Sequence, residues 1–335
     1  MTIIAGQLTG VEMIPWEVYA KPKPNHIMSR SPIIDDSGVQ RLTEETIVLQ
    51  QRVNALESVV SFTDLRETIE SRAFGNTITG LPEWVRRLRE RGYKFQSSLD
   101  QTADELEEQW KVLRPSLRKM LQDRAMELRS ALGCIQFAMR QLTRFAGDPI
   151  NAEPLLAHAR ATLGDLERRS RLALHEVRDP FAAYRTKVGI FVAGLEQLEW
   201  TLTQGDEAKF QLRSGEGVVI GAKATWLRSR EDHPEGVLYL TNQRIIFEQK
   251  QNVAPKKFFF ITTDSKLIHQ ALLEISIEAL EEITATKKGF FRNKDHLEMT
   301  FAAGMSMPAA YFWLHGQDSV SWEELARRAK SADSI

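Results

Sequence analysis

In Gly236-Val237-Leu238-Tyr239-Leu240-Thr241-Asn242-Gln243-Arg244-Ile245-Ile246-Phe247, two apolar runs flank a polar pair, Asn242-Gln243. Aliphatic and aromatic residues dominate both runs and the pair supplies a turn, so the stretch predicts a two-strand hairpin. Outward from it, the same chemistry repeats. Residues 218–220 and 222–227 are short strand-like runs, and 258–263 is a further candidate. Residues 273–277 and 296–301 alternate apolar with polar, 283–289 lead into a turn, and Tyr311-Phe312-Trp313-Leu314 follows. Trp322, Leu325, Ala326 and Ala329 share one face of a last helix, with Ser319 or Ser321 as its cap. Many short strands and one terminal helix describe a small antiparallel barrel closed by that helix.

Before residue 205 the period is helical. Leu42, Leu49 and Leu56 lie seven apart, and Thr46, Val53 and Val60 fill the alternate seam. The pattern predicts one helix to about residue 73, halted by the breaker Gly75-Asn76-Thr77-Ile78-Thr79-Gly80. Pro82 opens a short helix that Gly92 interrupts. A long series runs from Leu99 to Leu142, with Pro115 either kinking one rod or dividing two helices. Leu156 to Val177 mark the next helix. Asp179-Pro180 then reads as the start of another, carrying Phe181, Tyr184, Val188, Leu195 and Leu198. The expected layout is α+β: a long helical bundle or coiled coil over 41–205, then the barrel over 206–335. Residues 1–40, broken by four prolines, form an extended arm that docks on the helices or straps a partner.

Composition excludes several classes. The 335 residues carry 44 Lys and Arg against 45 Asp and Glu, a net charge of -1, so the chain is not a globally basic nucleic-acid binder. Hydrophobic residues at 42% and charged residues at 27% describe a folded chain. One cysteine, Cys134, excludes an intramolecular disulfide framework and a cysteine zinc cage. It lies between Leu132 and Ile135, where a buried, inert thiol is expected. No uncharged apolar run approaches the ~20 residues of a membrane span, and the first residues lack a signal-peptide pattern. A cytoplasmic location is expected, with peripheral membrane attachment as its extension.

The hairpin at 236–247 closely resembles the glycine-led strand pair of GRAM domains, members of the pleckstrin-homology-like superfamily. Residues 274–283 resemble that family's next strand and step, Lys287-Lys288-Gly289-Phe290-Phe291 its basic hairpin turn, and Gly215-Glu216-Gly217 its opening. The resemblance covers roughly 206–330. It departs at 248–272, which is longer than the family's usual connection and carries an aromatic-basic insert. The resemblance implies a PH-like barrel whose basic turns face phosphoinositide headgroups, or whose edge binds peptides.

Lysines beside aromatic rings suit an anionic membrane surface. Two segments have that character: Lys256 and Lys257 before 258–260, and Lys287, Lys288, Phe290, Phe291, Arg292 and Lys294 around Gly289. These residues are the candidate lipid-binding set. The competing reading puts alternate phenylalanines in the core and lysines in solvent. No catalytic motif emerges: Gly215-Glu216-Gly217 is followed by no Gly-Lys-Ser/Thr, and no Gly-x-Ser-x-Gly or His-Glu-x-x-His occurs. His158 and His175 lack a Glu three residues earlier, so no metal or other cofactor is expected. The sequence therefore predicts a non-enzymatic scaffold or adaptor. Its barrel meets anionic lipid or a protein partner, its helices self-associate, and no nucleic acid is bound. A purely protein-binding assembly factor is the alternative.

Overall fold

The computed structural model describes residues 36–145, 148–253, 266–288 and 294–331. It has the expected α+β layout. Helices α1 (Asp36–Val60), α2 (Thr63–Ile69), α3 (Arg72–Thr79), α4 (Leu81–Glu90), α5 (Ser98–Arg144) and α6 (Pro149–Asp206) come first. Strands β1 (Val218–Trp226), β2 (Glu235–Thr241), β3 (Arg244–Val253), β4 (Lys266–Ser276), β5 (Leu280–Lys288), β6 (Lys294–Phe301) and β7 (Ala309–Leu314) follow, then α7 (Ser319–Lys330). The N-terminal arm falls almost wholly outside the described residues.

The helices form three parallel-sided rods. At 1.5 Å per residue, α5 is about 70 Å long and α6 about 87 Å. They run antiparallel, since Arg124 pairs with Glu176, Arg169 with Glu127, and the Tyr184 hydroxyl donates to the Leu106 carbonyl at 2.7 Å. Burial pushes the Tyr184 hydroxyl pKa up to about 12. The third rod is α1 through α4 in series. Its cross-links to α6 keep one spacing: Glu45 to Arg160, Arg52 to Glu167, Trp84 to Glu199 and Arg91 to Asp206 each span 115 residues. Arg41 to Glu153 spans 112, one turn less. A constant offset means two parallel helices with equal rise. The breaks in the third rod therefore advance it at the same rise per residue as the unbroken α6. Glu70 (φ -88°, ψ 1°) and Gly80 (φ -88°, ψ -9°) stay near helical geometry, Ser71 (ψ 120°) and Phe62 (φ 51°) do not, and the offset holds across all of these junctions.

Several expected boundaries move. The helix expected over 42–73 divides at Ser61-Phe62, where Phe62 takes a left-handed conformation (φ 51°) and buries its ring. The expected breaker at 75–80 is helical: the Ser71 hydroxyl caps α3 by accepting from the Phe74 amide, and Gly80 joins α3 to α4. Asp179-Pro180 starts nothing. Pro180 lies inside α6, whose buried face continues through Val177, Phe181 and Tyr184. Packing along that face outweighs the one hydrogen bond a proline removes. Pro115 likewise sits within a continuous α5. Cys134 is exposed, not buried, because α5 turns it away from the stripe of Leu132 and Ile135. Asp318 caps α7, not Ser319 or Ser321; its carboxylate accepts from the Ser321 amide. The seam residues Leu42, Leu49, Val53, Leu56 and Val60 are buried within the chain's own bundle.

The strands form one antiparallel sheet in the order β4-β3-β2-β1-β7-β6-β5. Inner residues from all seven strands meet in one core with Trp322, Ala326 and Ala329 of α7, so the sheet is rolled and the helix closes it. The runs at 218–220 and 222–227 are one strand, β1, with an irregularity between Val218 and Ile220. The unusual 248–272 stretch is partly ladder: β3 and β4 pair from Arg244↔Ser276 out to Val253↔Lys266. Residues 254–265, including the strand candidate at 258–263, lie outside the described residues.

The sheet meets the helices at β1. Strand β7 pairs with β1 only over Ala224, Thr225 and Trp226. Toward the start of β1, helical side chains take over. The Tyr93 hydroxyl donates to the Val219 carbonyl at 3.2 Å, and the Gly221 amide donates to the Thr201 hydroxyl at 3.0 Å. Gln197 and Gln317 both donate to the Gly221 carbonyl, at 2.7 and 2.8 Å. Beside this joint, Val218, Val237, Tyr239 and Ile246 pack on Trp200, Ala208 and Phe210. The end of α6 and the segment just after it thus cover the outer face of β1 to β3.

Two outcomes follow from these contacts. Thr201→Val keeps the shape but leaves the buried Gly221 amide without an acceptor, and denaturant titration of the full chain should show a loss of about 1–3 kcal/mol. At Gly236 a Cβ would lie 2.0 Å from the Glu248 carbonyl oxygen, so the β2–β3 pair closes only on glycine. Gly236→Ala should cost about 3 kcal/mol or more in the same measurement. An unchanged midpoint in either variant would contradict the corresponding contact.

Candidate functional site

The β5–β6 hairpin brings three of the expected cations together, because Lys288 pairs with Lys294 at its end and Lys287 with Asp295. Phe290, Phe291 and Arg292 lie outside the described residues, as do Lys256 and Lys257 between β3 and β4. Each described lysine already has a partner. The Lys287 ammonium lies 3.2 Å from Asp318 and 3.6 Å from Asp295. Lys288 pairs with Glu298 one strand away. Lys294 stands 4.2 Å above the Trp313 ring, a cation–π contact.

These pairs join the hairpin to the helix behind it. Asp295 also accepts from the Ser319 amide and hydroxyl, at 3.1 and 3.0 Å. Asp318 caps α7. Burial pushes its carboxyl pKa up, but the Ser321 amide and the Lys287 ammonium pull it further down, so it sits below its ordinary value. Asp318 and then Asp295 hold Lys287 above the usual lysine range. Sequence spacing ties Lys287 to neither carboxylate in function. One comes from the facing strand, the other from a helix cap 31 positions on.

Beside the hairpin, β6 and β7 present a ledge of rings. His296 faces Trp313 in the ladder and stacks on it at 12°, with centroids 6.5 Å apart. His315, just past the end of β7, has its ring centroid 4.3 Å from that of the same tryptophan and contacts the Thr225 hydroxyl at 2.8 Å. Tyr311 continues the row and is 45% exposed. Alternation explains the row: Phe312 and Leu314 point into the core, so Tyr311, Trp313 and His315 point out. Burial, then Lys288 and Lys294, holds the His296 imidazole below the usual histidine range, so it is neutral near pH 7. Neither histidine falls in a motif that the sequence singles out. The available signal was the outward triplet at 311, 313 and 315.

The hairpin that carried the family resemblance does different work. Arg244 is almost fully buried and holds Glu216, wholly buried, through Nε at 2.8 Å and a second nitrogen at 3.0 Å; it also pairs with Glu274 and donates to the Gln211 carbonyl. Thr241 donates to Glu216 at 2.7 Å, and the Asn242 side chain accepts from the Gly217 amide at 2.9 Å. Thr241, Asn242 and Arg244 therefore pin residues 211–217 onto the sheet, upstream of β1. Glu248 does the same nearby: its buried carboxylate takes the Lys209 amide and lies 3.0 Å from His269. Among the described residues no group of three or more His, Cys, Asp or Glu is placed to hold a metal, and no helix is long and apolar enough to cross a membrane.

Burial pushes the Glu216 carboxyl pKa up, while Arg244, the Arg213 amide and Thr241 pull it down further, below its ordinary value. A depressed carboxylate stabilises the fold above its unfolded pKa of about 4.3 and loses that contribution as pH falls through the folded value. Glu216→Gln should cost about 3 kcal/mol at neutral pH, because Arg244 keeps Glu274 but loses its buried partner. The penalty should shrink as the pH drops below about 4. A penalty that stays constant from pH 7 to pH 3 would contradict the pairing.

No family model matches the chain, and no curated protein matches it. Among solved structures, the chain is similar to the N-terminal PH domain of Vps36, at 19% identity over 36% of this chain and 84% of that one, with a TM-score of 0.25. It is also similar to a chain of the complex between human RhoA and the DH/PH fragment of PDZRHOGEF, at 14% identity over 90% of this chain and 98% of that one, with a TM-score of 0.28. The DH/PH domains of p115-RhoGEF match at 12% identity over 86% of this chain and 99% of that one, with a TM-score of 0.25.

Proposed function

We propose that this chain is a non-enzymatic adaptor whose PH-like sheet, of the GRAM type by its 236–247 hairpin, binds a protein partner. The contact surface is the ring ledge of Tyr311, Trp313, His296 and His315 together with the β5–β6 hairpin. The observation that carries the reading is the Lys294–Trp313 pair flanked by two imidazoles on an outward sheet face. Half-buried aromatic rings with an adjacent cation are the side chains that anchor interfaces. The bundle acts as a rigid mount, with 41–205 and 206–335 working as one unit across the β1 joint. Self-association of the rods would need residues outside the two seams, since those are spent within the bundle.

A second reading, anionic lipid, is favoured by Lys287, Lys288 and Lys294 standing together at the hairpin end, with Phe290, Phe291 and Arg292 between them in sequence. The local balance weighs against it. Lys287 and Lys288 face Asp295, Asp318 and Glu298, and Lys294 is engaged by the Trp313 ring, so three carboxylates offset the three lysines in the described part of this tip.

Co-sedimentation of the full chain with phosphatidylserine vesicles at two salt concentrations separates the readings. The adaptor reading expects the chain to stay in the supernatant at 0.15 M salt. Salt-sensitive pelleting would favour lipid. In that case Lys287→Gln with Lys288→Gln should weaken partitioning roughly tenfold or more, at about 1 kcal/mol per lost cation. Glutamine is the right replacement, because glutamate would stand against Asp295, Asp318 and Glu298.

A further inference from the structure

Between α3 and α5 lies a cleft of about 460 Å³. Four cations line it, Arg72, Lys111, Arg114 and Arg118, and no carboxylate does. Two of the four are balanced from outside: Lys111 by Glu107 and Glu108 at 3.3 and 2.7 Å, Arg118 by Glu70 at 3.2 Å. Arg72 and Arg114 have no carboxylate partner among the described residues.

Arg114 carries the stronger signal. Its Nε is closed off from solvent and donates to nothing. A guanidinium N–H deprived of both water and an acceptor is costly, and native proteins seldom leave one so. Its neighbour Pro115 has no amide hydrogen, so the Lys111 carbonyl one turn back lacks its helical donor. The cleft is thus lined by two guanidinium groups without a carboxylate partner and by one spare acceptor on the same stretch of α5. Across from it, α3 begins at Arg72, and the first amides of a helix carry a positive partial charge.

We propose that this cleft binds a phosphate group, held between the Arg72 and Arg114 guanidinium groups. Two unmatched positive charges suit a dianion better than a carboxylate, and the guanidinium fork matches two phosphate oxygens at once. The volume exceeds that of phosphate alone, leaving room for a small carrier whose hydroxyl donates to the Lys111 carbonyl. The source is a soluble phosphorylated compound or a lipid headgroup. The site is separate from the ring ledge and does not rest on the adaptor reading.

Calorimetric titration of the full chain with inorganic phosphate, against sodium chloride at equal ionic strength, is the test. Phosphate should bind where chloride does not. Arg114→Gln and Arg72→Gln should each weaken binding at least tenfold; Arg72 is exposed, so its variant folds even if the other does not. Gly75 lines the cleft, and a Cβ there would meet nothing within 4 Å. Gly75→Met should therefore fold normally, keep every charge and still lose phosphate by filling the space. Arg129→Gln, on an exposed turn of α5, should bind like the parent. Equal heats for phosphate and chloride, an equal loss in Arg129→Gln, or full binding by Gly75→Met would each overturn the site. Vesicles containing phosphatidylinositol phosphate identify the source. Pelleting that Gly75→Met abolishes assigns the headgroup, and phosphate binding without pelleting assigns the soluble compound.

Discussion

The structure depends on how one exposed strand edge is satisfied. A strand whose neighbour ends early leaves backbone donors and acceptors that water or another strand must meet. Here β7 stops pairing with β1 at Ala224, and the groups at Val219 and Gly221 are met by Tyr93, Gln197 and Thr201 of the helical part and by Gln317. The helices act as a surrogate strand. Because the bonds come from both the α4–α5 connection and α6, the sheet is held at two points and cannot swivel about one. The apolar cover of Trp200, Ala208 and Phe210 closes the same joint from its outer face.

The buried charge clusters belong to the same construction. Residues 207–217 would otherwise be a loose connector between rod and sheet. Glu216 with Arg244, and Glu248 with the Lys209 amide, fasten it at two places. This assigns a physical meaning to the Thr-Asn-Gln-Arg turn that resembles GRAM domains. The polar residues of that turn are anchors for the preceding segment.

Much of this was legible in the sequence where the relevant interaction is local. The two apolar runs of 236–247 marked β2 and β3, alternation over 296–301 marked the inner face of β6, and the Leu stripes marked the buried faces of α1, α5 and α6. The misread points share one cause, a local signal overruled by distant packing. Asp179-Pro180 has sound capping chemistry, yet Phe181 and Tyr184 continue a buried face begun at Val177. Phe62 turns left-handed with no glycine to announce it. At the candidate site, the lysines were visible but their carboxylates were not, since Asp318 and Glu298 reach them only through the fold. Thr201 and Tyr93 carried no sequence mark of their roles, because each serves a strand more than 15 residues away.

The constant offset between the interrupted rod and α6 has a consequence for how the chain tolerates change. Each cross-link from Glu45–Arg160 to Arg91–Asp206 fixes the same difference in position. A residue added to α6 between two of these ties would shift every later tie by one position, rotating its side chain about 100° around the helix. It must then be expelled as a bulge or matched by an addition in the partner rod. The junctions at Ser61-Phe62, Glu70-Ser71 and Gly80 are where the partner rod is already interrupted and such an addition is least disruptive. The two rods are thus length-locked, and variation between related chains is expected in pairs: a change in α6 accompanied by one at a junction on the other side.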